Sequence, residues 1–182
     1  MRAIDDLKTE HELIGRVLTI LEAEVESIDR GKAPRPDMLS DALTFIRGFA
    51  DRCHHGKEER HLFPALSEKS DALRFGPVSV MLTEHDEGRG YMADLEAAIA
   101  GIRGGKPEAT QAARGALQSY CRMLRSHIDK EENVLFRIAD EVLSADEASG
   151  VAAGFDAVED EMGADAHSRF HDLVDKMETA RT

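Results

Sequence analysis

Two stretches of this chain recur at nearly constant spacing, and both carry side chains that bind metals. Thr9-Glu10-His11 returns as Thr83-Glu84-His85, 74 residues later, and His54-x-x-x-Glu58-Glu59-x-x-Leu62-Phe63 returns as His127-x-x-x-Glu131-Glu132-x-x-Leu135-Phe136, 73 residues later. Self-similarity of this kind marks one supersecondary unit used twice, and imidazole with carboxylate is a metal-ligand vocabulary. The chain is thereby constrained to a fold in which two related halves meet around one shared place.

Each half reads as a helical hairpin. The seam Leu7, His11, Ile14, Leu18, Leu21, Val25, Ile28 steps by four and three, as a core-facing helix does. Gly31 closes that helix, and Ala33-Pro34-Arg35-Pro36 forbids its continuation. A second helix is predicted from about Pro36 to the region of Pro64, with Leu43, Ile46, Ala50, His54, Glu58 and His61 on one face. His55, about 100° round from His54 on an α-helix, falls outside this set. The third helix begins near Pro77 and carries Val78, Met81, His85, Gly88, Met92, Leu95, Ile99 and Ile102 on its seam, ending at Gly104-Gly105. The fourth, from about Glu108 to Leu143, aligns Leu117, Tyr120, Leu124, His127, Glu131, Val134 and Ile138. Ser144-Ala-Asp-Glu147 has the form of a capping box and predicts a further helix, broken near Gly163. Alternating β-branched runs and hairpin dipeptides are lacking, so the class is all-α.

The arms of each hairpin bring the histidines level. His11 precedes the turn at residues 31–35 by roughly 20 residues and His54 follows it by about as many, so at about 1.5 Å per residue they face each other. His85 and His127 stand in the same relation to Gly104-Gly105-Lys106-Pro107. An antiparallel up-down-up-down four-helix bundle then gathers four imidazoles, with Glu58 and Glu131 one turn away, in one interior layer. A single seam histidine is commonly a hydrogen-bonded core residue, and one His-x-x-x-Glu is weak among 36 acidic residues. Their duplicated occurrence on four seams is another matter: two carboxylates and four imidazoles buried without a cation cost several kcal/mol per charge or force proton uptake. Nitrogen donors with bridging carboxylates suit iron, manganese or zinc over magnesium or calcium. The near-two-fold repeat suggests two metals, each holding two histidines and sharing Glu58 and Glu131. That set leaves open coordination positions, which favours redox chemistry with a small ligand over a closed structural site.

Composition sets the surroundings. With 182 residues, 42% hydrophobic and 32% charged, the chain is expected to form one domain, a bundle over 1–143 with a helical extension over 144–182 packed on it. A formal charge of −13 repels phosphate backbones and anionic lipid, so neither nucleic acid nor membrane is an expected partner. No apolar run is long enough to span a bilayer and the start lacks a signal-peptide segment, so a cytoplasmic setting is expected, with Cys53 and Cys121 as free thiols.

The whole pattern resembles the hemerythrin-like (HHE cation-binding) family, in its H–HxxxE–H–HxxxE type, over about residues 5–143, with both EExxLF extensions and the Glu84-His85-Asp86-Glu87-Gly88-Arg89 stretch among its cues. The resemblance implies a non-haem di-iron centre, oxo- or hydroxo-bridged, with His11, His54, Glu58, His85, His127 and Glu131 as ligands. Oxygen-carrying members have a second third-helix histidine where Arg89 stands here, which argues against simple oxygen carriage. Relatives of this type include proteins that decompose hydrogen peroxide, iron and oxygen sensors, and iron-sulfur repair proteins, the last often with a further N-terminal cysteine-containing domain. The function read from this is catalase-like or peroxidase-like reaction with hydrogen peroxide or dioxygen, drawing on an unidentified reductant. The alternative is reversible binding of dioxygen or nitric oxide, or iron storage or sensing, without turnover.

Around the six ligands, His61, Gly88, Arg89 and Tyr120 are candidates for a surrounding shell. Gly88 either leaves room for a small molecule or permits close helix packing. Glu10, Glu59, Glu84 and Glu132 adjoin ligands and could orient imidazoles through the nitrogen that does not bind metal. His167-x-x-x-His171 has metal-compatible spacing but no duplicate and reads as part of a surface helix. The segment bearing it either covers the site or supports a homodimer.

Overall fold

The computed structural model describes residues 1–180, and among these every regular element is helical. Helix α1 is Arg2–Asp29. Helix α2 runs from Pro36–Phe45 through Ile46–His55 and Glu58–Leu62 to Phe63–Lys69. Helix α3, Ser79–Arg103, is entered through Arg74–Val78, where Gly76 breaks the helical backbone just before Pro77. Helix α4 runs from Ala109–Lys130 through Glu131–Leu135 to Phe136–Val142. The extension supplies α5, Ala145–Met162, and α6, Ala166–Thr179. Residues 181–182 of the expected extension lie outside the described residues.

Local chemistry sets these limits. Gly31 and Gly105 adopt left-handed φ of 79° and 72° beyond the ends of α1 and α3, a conformation that a Cβ would disfavour. Ser144 and Glu147 form the expected capping box, the Ser144 hydroxyl accepting from the Glu147 amide and the Glu147 carboxylate from the Ser144 amide. Gly163, at φ 89°, parts α5 from α6 where a break was expected. Pro64 does not end α2 as expected. It falls in the first turn of Phe63–Lys69, where α-helical register resumes and proline is tolerated.

Ion pairs between helices record the topology. Asp29 to Arg114, Glu22 to Arg125 and His11 to Glu131 run in opposite senses along α1 and α4. Asp37 to Arg103, Arg47 to Glu96 and Asp51 to Arg89 do the same for α2 and α3. The bundle is therefore antiparallel. Both extension helices lie over the α1–α2 face, where Arg2 pairs with Asp156, Arg60 with Glu161, and Arg16 with Asp175 and Glu178, while Phe170 packs on Phe45 and Phe49.

The apolar core is in two slabs. One, toward the α1–α2 and α3–α4 turns, contains Leu18, Leu21, Phe45, Leu95, Leu117 and Leu124. The other, at the far end, contains Ile4, Leu7, Leu62, Phe63, Leu135 and Phe136. The histidines occupy the level between them: His11 stands between Leu7 and Ile14, and His127 between Leu124 and Leu135. At this level α2 and α4 depart from α-helical hydrogen bonding, with i→i+5 turns over Ile46–His55, Glu58–Leu62 and Glu131–Leu135. Such turns occur often at functional sites.

Candidate metal centre

The six expected ligands meet in this interior layer, all of them buried. His11 Nε2 lies 3.0 Å from His54 Nε2, and His85 Nε2 lies 3.2 Å from His127 Nε2. Glu131 joins the two pairs, Oε2 at 3.2 Å from His11 Nε2 and Oε1 at 3.2 Å from His127 Nε2. Glu58 spans them from the other side, Oε1 at 3.8 Å from His54 Nε2 and Oε2 at 3.5 Å from His85 Nε2. Each carboxylate thus addresses one imidazole of each pair.

The outward nitrogens are all engaged. His11 Nδ1 lies 2.9 Å from Glu132, His54 Nδ1 2.8 Å from Glu10, His85 Nδ1 2.7 Å from Glu59 and His127 Nδ1 2.9 Å from Glu84. A carboxylate can only accept, so each Nδ1 carries the proton and each Nε2 turns a lone pair inward. Two lone pairs about 3 Å apart repel unless a proton or a cation lies between them. The four oxygens of Glu58 and Glu131 are also buried without a hydrogen bond of good geometry. Bare nitrogens and unpartnered carboxylate oxygens form a donor set that fits a metal, and ligand atoms gather in two groups: His11, His54 and Glu131, and His55, Glu58, His85 and His127.

Without a cation, protons must fill the layer. Burial would lower both His11 and His85, but Glu131 raises His11 to about 8, and Glu58 with Glu59 raises His85 to about 9. Burial and the Glu131 charge push Glu58 up. Glu131, despite its own burial, is held well below the usual carboxylate range by His127 and His11.

The four outer glutamates, expected only as candidates, all occupy orienting positions. The duplication also includes a lysine: Lys57 and Lys130 each bind the glutamate behind a histidine, Glu10 and Glu84 respectively. That 73-residue correspondence was present in the sequence. Lys57 is wholly buried and also contacts Glu159 of α5, whereas Lys130 is 36% exposed. Burial would raise Glu10, yet His54 and Lys57 hold it down at about 2.

Other expectations need correction. His61 is not near the metal-ligand layer: its ring packs toward Phe155, and a Cβ on Gly154 of α5 would lie 2.3 Å from its Nδ1. His55, excluded on α-helical geometry, is buried in the layer, since the wider i→i+5 turn shortens the angular step from His54. Burial pushes its imidazole down to about 3. Arg89 points outward to Asp51, Asp86 and Glu59, and so braces the glutamate behind His85. Gly88 and buried Tyr120 line a cavity of about 190 Å³, with Asp51, His55, His85 and Met92, that reaches His85 from the surface. Gly88 also packs closely, because a Cβ there would lie 3.0 Å from Met123 Cε. His167 stacks edge-on against Phe49 and, with His171, belongs to the helix covering α1 and α2. Cys53 and Cys121 are free and buried, as expected. Among the described residues no helix is long and apolar enough to cross a membrane.

Comparison with known proteins agrees with this geometry. The family model described as Hemerythrin HHE cation binding domain matches residues 2–139. An uncharacterized protein of Mycobacterium tuberculosis is 26% identical over 96% of this chain and 67% of its own length. The iron-sulfur cluster repair protein YtfE of Pectobacterium atrosepticum is 30% identical over 65% of this chain and 54% of its own length. Its Escherichia coli namesake is 31% identical over 64% of this chain and 54% of its own length, so the match spans about half of each repair protein. No solved structure matches the chain.

Proposed function

We propose, because this chain belongs to the hemerythrin HHE cation-binding domain family, that its buried layer holds two non-haem iron ions and reacts there with hydrogen peroxide or dioxygen. The observation that carries this reading is the crossed arrangement in which Glu58 and Glu131 each address one imidazole from both histidine pairs. His11, His54 and Glu131 would hold one ion, His85, His127 and Glu58 the other, with the second oxygen of each carboxylate turned to its neighbour. Two relatives are named for iron-sulfur cluster repair, which supports iron over manganese or zinc. Iron held in this way supplies a ferrous–ferric cycle and coordination positions for a small oxygen species.

The remaining work falls to the chain itself. Glu10, Glu59, Glu84 and Glu132 fix the tautomer and direction of the four imidazoles. Apolar slabs above and below the layer keep bulk water out, and the cavity beside Gly88 is of a size to admit a small ligand. The test is iron content and absorption of aerobically purified protein, followed by oxygen release after peroxide addition. Two irons per chain and release well above that of free iron are expected. Release equal to free iron removes the catalase-like reading, and a spectrum that appears with dioxygen or nitric oxide and reverses on degassing replaces it with reversible binding.

A further inference from the structure

One motif of the sequence has no part in the buried layer, His167-x-x-x-His171. Histidines four residues apart share one face of a helix, the spacing at which a helix presents two imidazoles to zinc. In α6 that face borders a cavity of about 150 Å³ where four helices meet. Its wall includes His167 and His171, with Asp6 and Glu10 of α1, Phe49 of α2 and Glu159 of α5.

The donors on this wall are set for a cation. His167 Nε2 lies 3.2 Å from Glu159 Oε2, and tetrahedral donors at about 2.0–2.1 Å from one zinc ion stand about 3.3 Å apart. Close as it is to that oxygen, the nitrogen is buried and makes no well-formed hydrogen bond. A buried imidazole nitrogen left so is costly, and a cation removes the cost. The ring itself is held edge-on against Phe49, with 5.4 Å between centroids. His171 is exposed, so its imidazole can swing toward the same point.

Charge acts in the same direction. Asp6, Glu10 and Glu159 bring three carboxylates to the cavity. Against them stand Lys57, shared by Glu10 and Glu159, and Arg2, which lies 3.6 Å from Asp6 but is bound to Asp156. Glu10 is committed on both oxygens, to Lys57 and to His54. Glu159 meets Lys57 through Oε1 alone, which leaves Oε2 for the cavity. Donor atoms of Glu10, Cys53 and His167 also gather within 4.8 Å of one another. Cys53 does not line the cavity, however, so a cation entering from solvent meets the histidine pair and Glu159 first.

We propose that His167, His171 and Glu159 form a second cation site, for zinc or a similar borderline divalent ion, with water as the fourth ligand. Two imidazoles and a carboxylate around an open fourth position are a zinc donor set. The site shares no ligand with the buried layer, and an ion bound there ties α6 to α5.

The test is equilibrium dialysis of the purified protein, its resident metal measured beforehand, against Zn(II) alone. Wild type, His171→Ala, Glu159→Gln and Cys53→Ser are compared. The wild type should take up one zinc per chain more than His171→Ala, and Glu159→Gln should weaken that zinc about tenfold or more. Zinc should also shift the imidazole NMR signals of both His167 and His171 in the wild type. His171 is exposed, so its replacement should leave the circular dichroism melt unchanged in the absence of zinc. Equal zinc count and affinity in the wild type and His171→Ala would overturn the site. Zinc kept by His171→Ala but lost by Cys53→Ser would overturn it too, placing the ion among Glu10, Cys53 and His167 instead.

Discussion

Stripping the metal should reverse the dependence of stability on pH. In the metal-free protein the buried carboxylates draw protons onto the imidazoles. Burial works against this, but Glu131 raises His11 to about 8, and Glu58 and Glu59 raise His85 to about 9. A group raised on folding stabilises the fold fully below its unfolded value, about 6.5 for histidine, and the contribution disappears as pH climbs through the folded value. Taken singly, these rises correspond to roughly 2 kcal/mol for His11 and roughly 3 kcal/mol for His85. The two draw on the same Glu58–Glu131 charge, so the joint loss is nearer 3 kcal/mol than their sum.

At roughly 2–4 °C per kcal/mol for a chain of this size, the metal-free Tm should fall by about 6–12 °C between pH 6.5 and 9.5. Metal binding requires unprotonated imidazoles, so the iron-loaded protein should hold or raise its Tm across the same interval. Circular dichroism melts of chelator-treated and iron-loaded samples measure both. A metal-free Tm that stays flat or rises from pH 6.5 to 9.5 would refute the proton-filled layer.

Three further outcomes follow from the geometry. Glu10→Gln removes the carboxylate that orients His54 and should weaken iron binding about 10- to 100-fold, measured by competition with a chelator. Glu10 opposes its own burial through His54 and Lys57 and is held at about 2, so it contributes roughly 3 kcal/mol that is lost as pH falls from 4.5 toward 2; Glu10→Gln should flatten that part of the acid unfolding curve. Gly48→Ala places a Cβ 2.4 Å from Phe170 Cζ, which should push α6 off α2 and cost about 1–3 kcal/mol in urea denaturation, leaving the iron stoichiometry at its wild-type value.

The ligand layer was legible because the duplication converted a weak local signal into a geometric one. His11, His54, His85 and His127 each sit on a seam with ordinary helix spacing, and matching the hairpin arms was enough to bring them to one level. Ser144, Gly31 and Gly163 were equally readable, since capping and left-handed φ depend on a few neighbouring residues. The placing of His55 and His61 was not legible, for a single reason. Seam spacing supposes 3.6 residues per turn, whereas through Ile46–His55 and Glu58–Leu62 the backbone bonds i→i+5, turning His55 inward and His61 toward α5. No side-chain periodicity announces that change, because it is set by how the backbone accommodates the layer it surrounds.

The duplication is kept where chemistry is shared and lost where the surroundings differ. From Nε2 outward, each half presents histidine, glutamate and lysine in the same order, His54–Glu10–Lys57 and His127–Glu84–Lys130. Beyond the lysines the symmetry ends. Helices α5 and α6 cover only the α1–α2 face, so Lys57 is buried against Glu159 while Lys130 remains partly in water. A buried ammonium between two carboxylates holds Glu10 in place more firmly than a solvated one holds Glu84, since Coulomb interactions strengthen as water is excluded. On the other side of the bundle, among the described residues no helix lies over Gly88, and the cavity there reaches His85 and His55. The two histidine pairs thus share one plan of imidazole, glutamate and lysine but differ in their surroundings: His11 and His54 lie on the side braced and covered by α5 and α6, and His85 borders the cavity.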